Sequence, residues 1–142
     1  MFTKATMVNL EQLKSLVSEF EAKYRGVNLE PFKYVEPYTL GCKVFWPEVM
    51  TTHRGVYAIF HKDELLYIGK VTGKSRVLCH RMIDYFIIRD DFSYAGSKYQ
   101  WTKEPTHFVA WGVPHDSFFE ASALEEFLIN KLQAELPDNT RK

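Results

Sequence analysis

Residues 9–25 carry an apolar side chain at every third or fourth position, which is the spacing of one face of an α-helix. These apolar positions are Leu10, Leu13, Val17, Phe20 and Tyr24. Asn9, with Gln12 three residues later, predicts a capped N-terminus, and Gly26 predicts the end of the helix. Leaving five such side chains exposed to water would cost too much free energy. We therefore expect this face to pack on its own domain, with contact between two copies as the alternative.

The next segment, residues 27–54, mixes prolines with aromatic side chains, which predicts an aromatic arm that covers part of the domain. Two apolar runs follow, Gly55–Phe60 and Leu65–Gly69, with a polar turn at residues 61–64 between them. This pattern predicts a β-hairpin. Four further segments are predicted downstream: a Gly/Lys/Ser loop at 70–75, a helix at about 76–89, a polar irregular segment at 90–105 and a third strand at 106–111.

The last predicted element is a helix near the end of the chain. Ser117 and Glu120 have the spacing of a capping box, and the helix is expected to run to about Glu135, before Pro137. Its periodicity of about 100° per residue places Glu125 on the apolar side and Glu126 on the polar side. A carboxylate on an apolar face needs a metal ion or a salt bridge to a cation, and both interpretations stay open.

Taken together, the elements predict one α+β domain with a small three-stranded, mainly antiparallel sheet flanked by helices. The 142 residues are the length of one domain. We divide it into an N-terminal helix and arm (residues 1–53) and a core (residues 54–139). No apolar run approaches the roughly 20 residues that span a bilayer. Met1–Thr6 lacks the apolar stretch of a signal peptide, so we expect a soluble cytoplasmic protein without a membrane partner.

Charge and cysteine content narrow the chemistry. The chain has 18 Lys and Arg against 18 Asp and Glu, so its net charge is zero. Dedicated nucleic-acid binders are usually basic, so a nucleic-acid site here must be a local basic patch. Cys42 and Cys79 lie far apart, and the five histidines have no HxH or HExxH spacing. A disulfide framework or a zinc site is therefore not expected.

The segment Gly69–Ser75 lies between a strand and a helix, which is the position of a nucleotide-binding P-loop. That motif has four residues between its first glycine and its Gly-Lys pair, whereas three lie between Gly69 and Gly73. The ring of backbone N–H groups around a phosphate depends on this spacing. We therefore expect no nucleotide cofactor.

Two tyrosine motifs lie on the two strands of the predicted hairpin. Gly55-Val56-Tyr57, followed by Tyr67-Ile68-Gly69, resembles the signature of the GIY-YIG nuclease superfamily, with Val in place of Ile. Lys70, the segment Arg81–Phe86 and the segment Leu124–Ile129 resemble the UvrC-like branch of that superfamily, the bacterial excision-repair endonucleases. The resemblance covers about residues 54–139.

This resemblance implies a metal-dependent endonuclease that hydrolyses DNA phosphodiester bonds with one Mg²⁺ or Mn²⁺. It implies that Tyr57 is the general base, with a pKa lowered by nearby cations, and that Glu125 is the metal ligand. The other catalytic residues that it implies are Tyr67, Lys70, Arg81 and Tyr85. The alternative is a GIY-YIG-like module that binds nucleic acid or a protein without cutting.

Further candidates for contact with DNA come from residues 98–103, where cations alternate with aromatic side chains. This composition suits binding of phosphates and stacking on bases, and an edge strand is the alternative interpretation. The candidate nucleic-acid-binding residues are Lys74, Lys98, Tyr99, Trp101 and Lys103. Asn139 is an additional candidate, because in the family an asparagine follows the helix that carries the glutamate. We expect DNA as the partner and a monomer rather than a homodimer.

Overall fold

The fold is α+β, and the computed structural model describes residues 8–26, 28–132 and 136–139 of the chain. Within these ranges the elements in chain order are α1 (Leu10–Tyr24), β1 (Lys33–Thr39), α2 (Glu48–Thr52), β2 (Gly55–His61), β3 (Glu64–Val71), α3 (Leu78–Tyr85), β4 (Phe86–Ile88), β5 (Tyr94–Ser97), β6 (His107–Gly112), a 3₁₀ turn (His115–Ser117) and α4 (Glu120–Leu132). Of the helices in the described ranges, none is long and apolar enough to cross a membrane.

The main sheet is antiparallel and has four strands in the order β1-β6-β2-β3. The predicted hairpin and third strand are confirmed as β2, β3 and β6, but the prediction of three strands is wrong. The fourth strand is β1, which lies within the predicted aromatic arm. Pro37 is tolerated because β1 is an edge strand with an irregular register between Val35 and Tyr38.

A second, two-stranded sheet follows α3. The predicted helix at 76–89 is wrong in its length, because α3 ends at Tyr85 and the apolar residues Phe86–Ile88 form β4. β4 pairs with β5, so residues 90–105 are not irregular throughout. A run of three apolar residues is too short for its periodicity to distinguish a strand from the end of a helix.

Helix α1 is capped and packed as the sequence predicts. Asn9 and Gln12 form a capping box, with both backbone-to-side-chain bonds at 2.9 Å. Leu13, Val17 and Phe20 are buried in the core that α1 shares with α4 and one face of the sheet. Tyr24 departs from the prediction, because it is 65% exposed at the end of the helix. The apolar face of α1 is therefore covered mainly within its own chain.

Because this face is covered internally, we expect the protein to be a monomer. Light scattering across a dilution series should give the mass of one chain at every concentration. A mass of two chains that decreases on dilution would instead assign the remaining exposed part of α1 to a dimer contact.

The start of α4 differs from the predicted capping box. Ser117 lies in the 3₁₀ turn, and its hydroxyl donates to the side chain of Glu120 at 2.8 Å, whereas the serine of a capping box accepts from a backbone N–H of the helix. Arg25 donates to both carboxylate oxygens of Glu120, at 2.7 and 2.9 Å, and so joins the end of α1 to α4. The predicted end of the helix at Glu135 and the segment Met1–Thr6 lie outside the described residues.

The two faces of the main sheet carry separate cores, as strand alternation requires. Val56, Ala58 and Phe60 of β2 face α1 and α4, whereas Tyr57 and Ile59 face α2, α3 and the second sheet. β3 is an edge strand, and α3 and α4 contact it from opposite faces of the sheet. This edge is where the candidate site lies.

Candidate functional site

Three tyrosine hydroxyl groups meet on the α3 side of the sheet. The Tyr57 hydroxyl lies 2.6 Å from that of Tyr85, and the Tyr85 hydroxyl donates to that of Tyr67 at 3.4 Å. The pairwise distances between ring centroids are 5.8 to 6.2 Å. β2, β3 and the last residue of α3 each contribute one member. We call these three residues the tyrosine cluster.

Gly69 allows this cluster to form. It lies opposite Tyr57 in the β2–β3 register, and the Tyr57 ring crosses over it. A Cβ atom on residue 69 would overlap both the hydroxyl and the ring carbons of Tyr57. The glycine at the end of the second motif therefore leaves space for the tyrosine of the first.

Gly69→Ala is expected to lower the free energy of unfolding by about 1–3 kcal/mol, because extra volume in a packed core forces its neighbours to move. Chemical denaturation measures this change. Gly26→Ala is the matched control, since no atom lies within 4 Å of a Cβ there, and it should leave stability nearly unchanged. Equal stability of both variants would show that Tyr57 does not occupy this position.

Burial changes the expected chemistry of Tyr57. The residue is fully buried, and this burial raises the pKa of its hydroxyl far above the ordinary value. The adjacent Tyr85 adds to the increase, whereas the positive charge of Arg81 opposes it less strongly. The prediction that nearby cations lower the pKa of Tyr57 is therefore wrong, because removal from water outweighs their field.

Beside the tyrosine cluster, at the outer edge of β3, lies a cavity of about 340 Å³ that we call the charged cavity. It gathers four of the six predicted catalytic residues. Of its lining residues, Lys70 and Tyr67 come from β3, Arg81 from α3 and Glu125 from α4, and Arg76 comes from the loop before α3. Tyr57 and Tyr85 are not among its lining residues.

Glu125 has the position that the helix periodicity predicts. Its side chain is 20% exposed, whereas the neighbouring Glu126 is exposed. Lys70 Nζ lies 3.6 Å from Glu125 Oε1 and also donates to the Ser122 hydroxyl at 3.2 Å. Burial raises the pKa of the Glu125 carboxyl above its ordinary value, with Lys70 and then Arg81 opposing the increase. The salt bridge that was one of the two interpretations of Glu125 is thus present. Its cation is Lys70, which is itself a predicted catalytic residue.

Asp84 positions two arginines of the charged cavity, and the sequence analysis did not identify it. Its carboxylate forms ion pairs with Arg76 and, at 3.4 Å, with Arg81. The guanidinium of Arg81 also lies 5.4 Å from the centre of the Tyr85 ring. The i,i+3 spacing of Arg81 and Asp84 was the available signal. Arg76 precedes α3, so helix periodicity could not place it.

The residues predicted to bind nucleic acid have different surroundings. Tyr99 and Trp101 contact the Tyr85 ring, at centroid distances of 5.5 and 5.6 Å. Lys98 Nζ donates to the backbone oxygen of Ile83, and Lys103 Nζ pairs with the carboxylate of Glu64. Lys74 is exposed on the loop after β3. The aromatic members of this segment therefore extend the tyrosine cluster, while Lys98 and Lys103 already bind other groups.

Asn139 contacts the outer edge of β3. Its side-chain amide accepts from the backbone N–H of Ile68 at 2.8 Å and donates to the backbone oxygen of Ile68 at 2.9 Å. This pair of bonds imitates a neighbouring strand and covers part of an exposed sheet edge.

No family model, curated protein or solved structure matches this chain. The resemblance of the two tyrosine motifs to the GIY-YIG nucleases therefore stays an expectation from the sequence.

The donor atoms of the charged cavity determine whether a magnesium ion fits there. Among residues 8–26, 28–132 and 136–139, no three His, Cys, Asp or Glu side chains are grouped to hold a metal. Mg²⁺ is commonly held by one or two carboxylates together with substrate phosphates and water. Glu125 supplies one carboxylate beside cationic groups suited to a phosphate. The donor set thus fits a magnesium ion whose other ligands are a substrate phosphate and water.

Proposed function

We propose that the protein is a metal-dependent endonuclease that hydrolyses DNA phosphodiester bonds in the charged cavity. One observation carries this proposal: three cationic side chains and one half-buried carboxylate converge there. The chain as a whole has no net charge. The three cations exceed the two carboxylates that pair with them, Glu125 and Asp84, by one charge, and this local excess supports a phosphate site on a neutral chain.

The cations of the cavity suit the phosphate group. Arg76 and Arg81 can each donate two parallel hydrogen bonds to phosphate oxygens, and Asp84 fixes both arginines near the end of α3. Lys70, held between Glu125 and Ser122, adds a point charge. These groups neutralise charge that increases on the phosphoryl oxygens during hydrolysis.

Glu125 and a phosphate oxygen would hold the magnesium ion. A bound ion would supply positive charge to a phosphate oxygen and to the leaving oxygen, and would lower the pKa of a water molecule. The remaining work belongs to the chain, which must position the phosphate and orient the attacking water.

Tyr67 is the member of the tyrosine cluster that lines the charged cavity. The resemblance implied Tyr57 as the general base, but Tyr57 is fully buried and its pKa is raised. We assign contact with the attacking water to Tyr67. Tyr57 then acts as a positioning residue, which reaches Tyr67 through the hydroxyl of Tyr85.

A plasmid-nicking assay tests the proposal. The wild-type protein should convert supercoiled DNA to the open form with Mg²⁺ and leave it intact in EDTA. Glu125→Gln, purified in parallel, controls for contaminating nucleases. Equal nicking in EDTA, or none with Mg²⁺, would refute the proposal. DNA binding without cleavage in either condition would support the non-cutting module instead.

The raised pKa of Glu125 gives a pH dependence. An ordinary glutamic acid has a pKa of about 4.3. Because the pKa of the Glu125 carboxyl is raised, the rate of metal-dependent cleavage should fall, as the pH is lowered, at a pH above that value. Carbon-13 NMR of the metal-free protein measures the titration directly. Lys70→Met should move the midpoint to still higher pH, since Lys70 lowers the pKa. Lys103→Met, which removes a lysine that pairs with Glu64, should not. A midpoint at or below the ordinary value would contradict this prediction.

A further inference from the structure

A second cavity, of about 250 Å³, adjoins the charged cavity, and Tyr67 and Arg81 line both. Its other lining residues are Tyr85, Tyr99, Trp101 and Asp138. We call it the base cavity, and we propose that it takes one unpaired nucleobase of the DNA strand whose phosphate lies in the charged cavity. The substrate would then be DNA with an unpaired nucleotide at the cleavage site. This inference rests on the proposed endonuclease function.

The walls of the base cavity suit a flat aromatic group. Trp101 packs edge-on against Tyr67 and Tyr85, with centroid distances of 5.9 and 5.6 Å, and so fixes this end of the cavity. Tyr99 contacts Tyr85 but is itself 53% exposed, so its ring keeps surface for a ligand. Stacking on such rings is tolerant of sequence because every base has a π face.

Charge distinguishes the two cavities. The charged cavity has three cations and one carboxylate. Among the described residues that line the base cavity, Arg81 is the cation and Asp138 the carboxylate. Asp138 accepts from the backbone and hydroxyl of Thr102 at 3.1 and 3.2 Å, which fixes it in the wall. A carboxylate there repels a second phosphate, so the cavity favours an uncharged planar group.

Size and position indicate a single base from the same strand. Pockets for drug-sized ligands measure roughly 300–1,000 Å³, so a cavity of about 250 Å³ suits a smaller group such as one base. Since Tyr67 and Arg81 line both cavities, a base in one lies close in space to a phosphate in the other, as in neighbouring nucleotides of one strand. A base enters only after leaving its stack, which costs least when it is mismatched or unpaired.

Binding in EDTA tests the inference without any cleavage. The probes are three short duplexes that carry, at one position, a paired 2-aminopurine, an unpaired 2-aminopurine or an abasic site. The wild type should bind the unpaired duplex about tenfold more tightly than the other two, with quenching of its 2-aminopurine fluorescence. Tyr99→Leu should reduce this preference to within about threefold, and Tyr99→Phe, which keeps the ring, should retain it. Tyr24→Leu is the control, because it removes another tyrosine that is more than half exposed, on α1.

Equal affinity of the wild type for all three duplexes would overturn the inference and needs no variant. Retention of the full preference in Tyr99→Leu would also overturn it. The same duplexes are then incubated with Mg²⁺. Absence of cleavage would refute the endonuclease proposal, whereas a preference for the unpaired base in EDTA would still support the base cavity. The two failures are therefore distinguishable.

Discussion

Glu125→Gln is expected to abolish magnesium-dependent cleavage, with a rate loss of at least about 10³-fold. Metal-ion catalysis contributes several kcal/mol to stabilisation of the transition state, and each 1.4 kcal/mol is a factor of about ten in rate. The amide of Gln keeps the shape of the side chain but removes the negative charge that would hold the ion. Single-turnover cleavage of a labelled duplex measures the loss.

The matched control is Glu126→Gln, one residue along α4 on its exposed side. It removes the same charge and should cut at nearly the wild-type rate. Stability should differ little in Glu125→Gln, because Lys70 keeps the Ser122 hydroxyl as a partner and a partly exposed ion pair contributes about 0–1 kcal/mol. If Glu126→Gln is inactive and Glu125→Gln active, the assignment of the metal ligand is wrong.

The position of Glu125 could be predicted because α4 is long enough for its apolar periodicity to fix its rotation. The hairpin could be predicted for a related reason, since two apolar runs around a polar turn leave little choice of register. The strands β1 and β5 could not be predicted from the sequence. In β1, Pro37 argues locally against a strand, and pairing with β6 overrides that preference. β5 is short and polar, so its pattern contains no signal of the partner strand.

The candidate site also has features that the sequence predicts and features that depend on the folded structure. The sequence identified residue types and motifs, and the structure brings Tyr67, Lys70, Arg81 and Glu125 to one cavity. The protonation behaviour of Tyr57 was mispredicted because it depends on burial between β2 and α3, which no local pattern reveals. Side chains that hold others in place, such as Asp84, are hard to find from sequence for the same reason.

Tyr67→Phe is expected to slow cleavage by about 10²-fold or more, the usual scale for a group that assists proton transfer. Tyr67 lines the charged cavity, so removal of its hydroxyl should take away the proposed contact to the attacking water. The ring stays, and with it the packing on Tyr57, Tyr85 and Trp101. DNA affinity measured in EDTA should therefore change little.

Tyr57→Phe is the comparison that decides between the two tyrosines, because each variant removes one hydroxyl and leaves its ring. The Tyr57 hydroxyl has no exposed surface and contacts Tyr85, which also donates to Tyr67. Loss of the Tyr57 hydroxyl should lower the cleavage rate by about tenfold or less. The reason is that Tyr67 is then held less firmly but keeps its contact with the water. A loss in Tyr57→Phe that equals or exceeds that in Tyr67→Phe would mean that Tyr57 reaches the reacting water after all. In that case the site must open between β3 and α3 when DNA binds, since Tyr57 is otherwise enclosed.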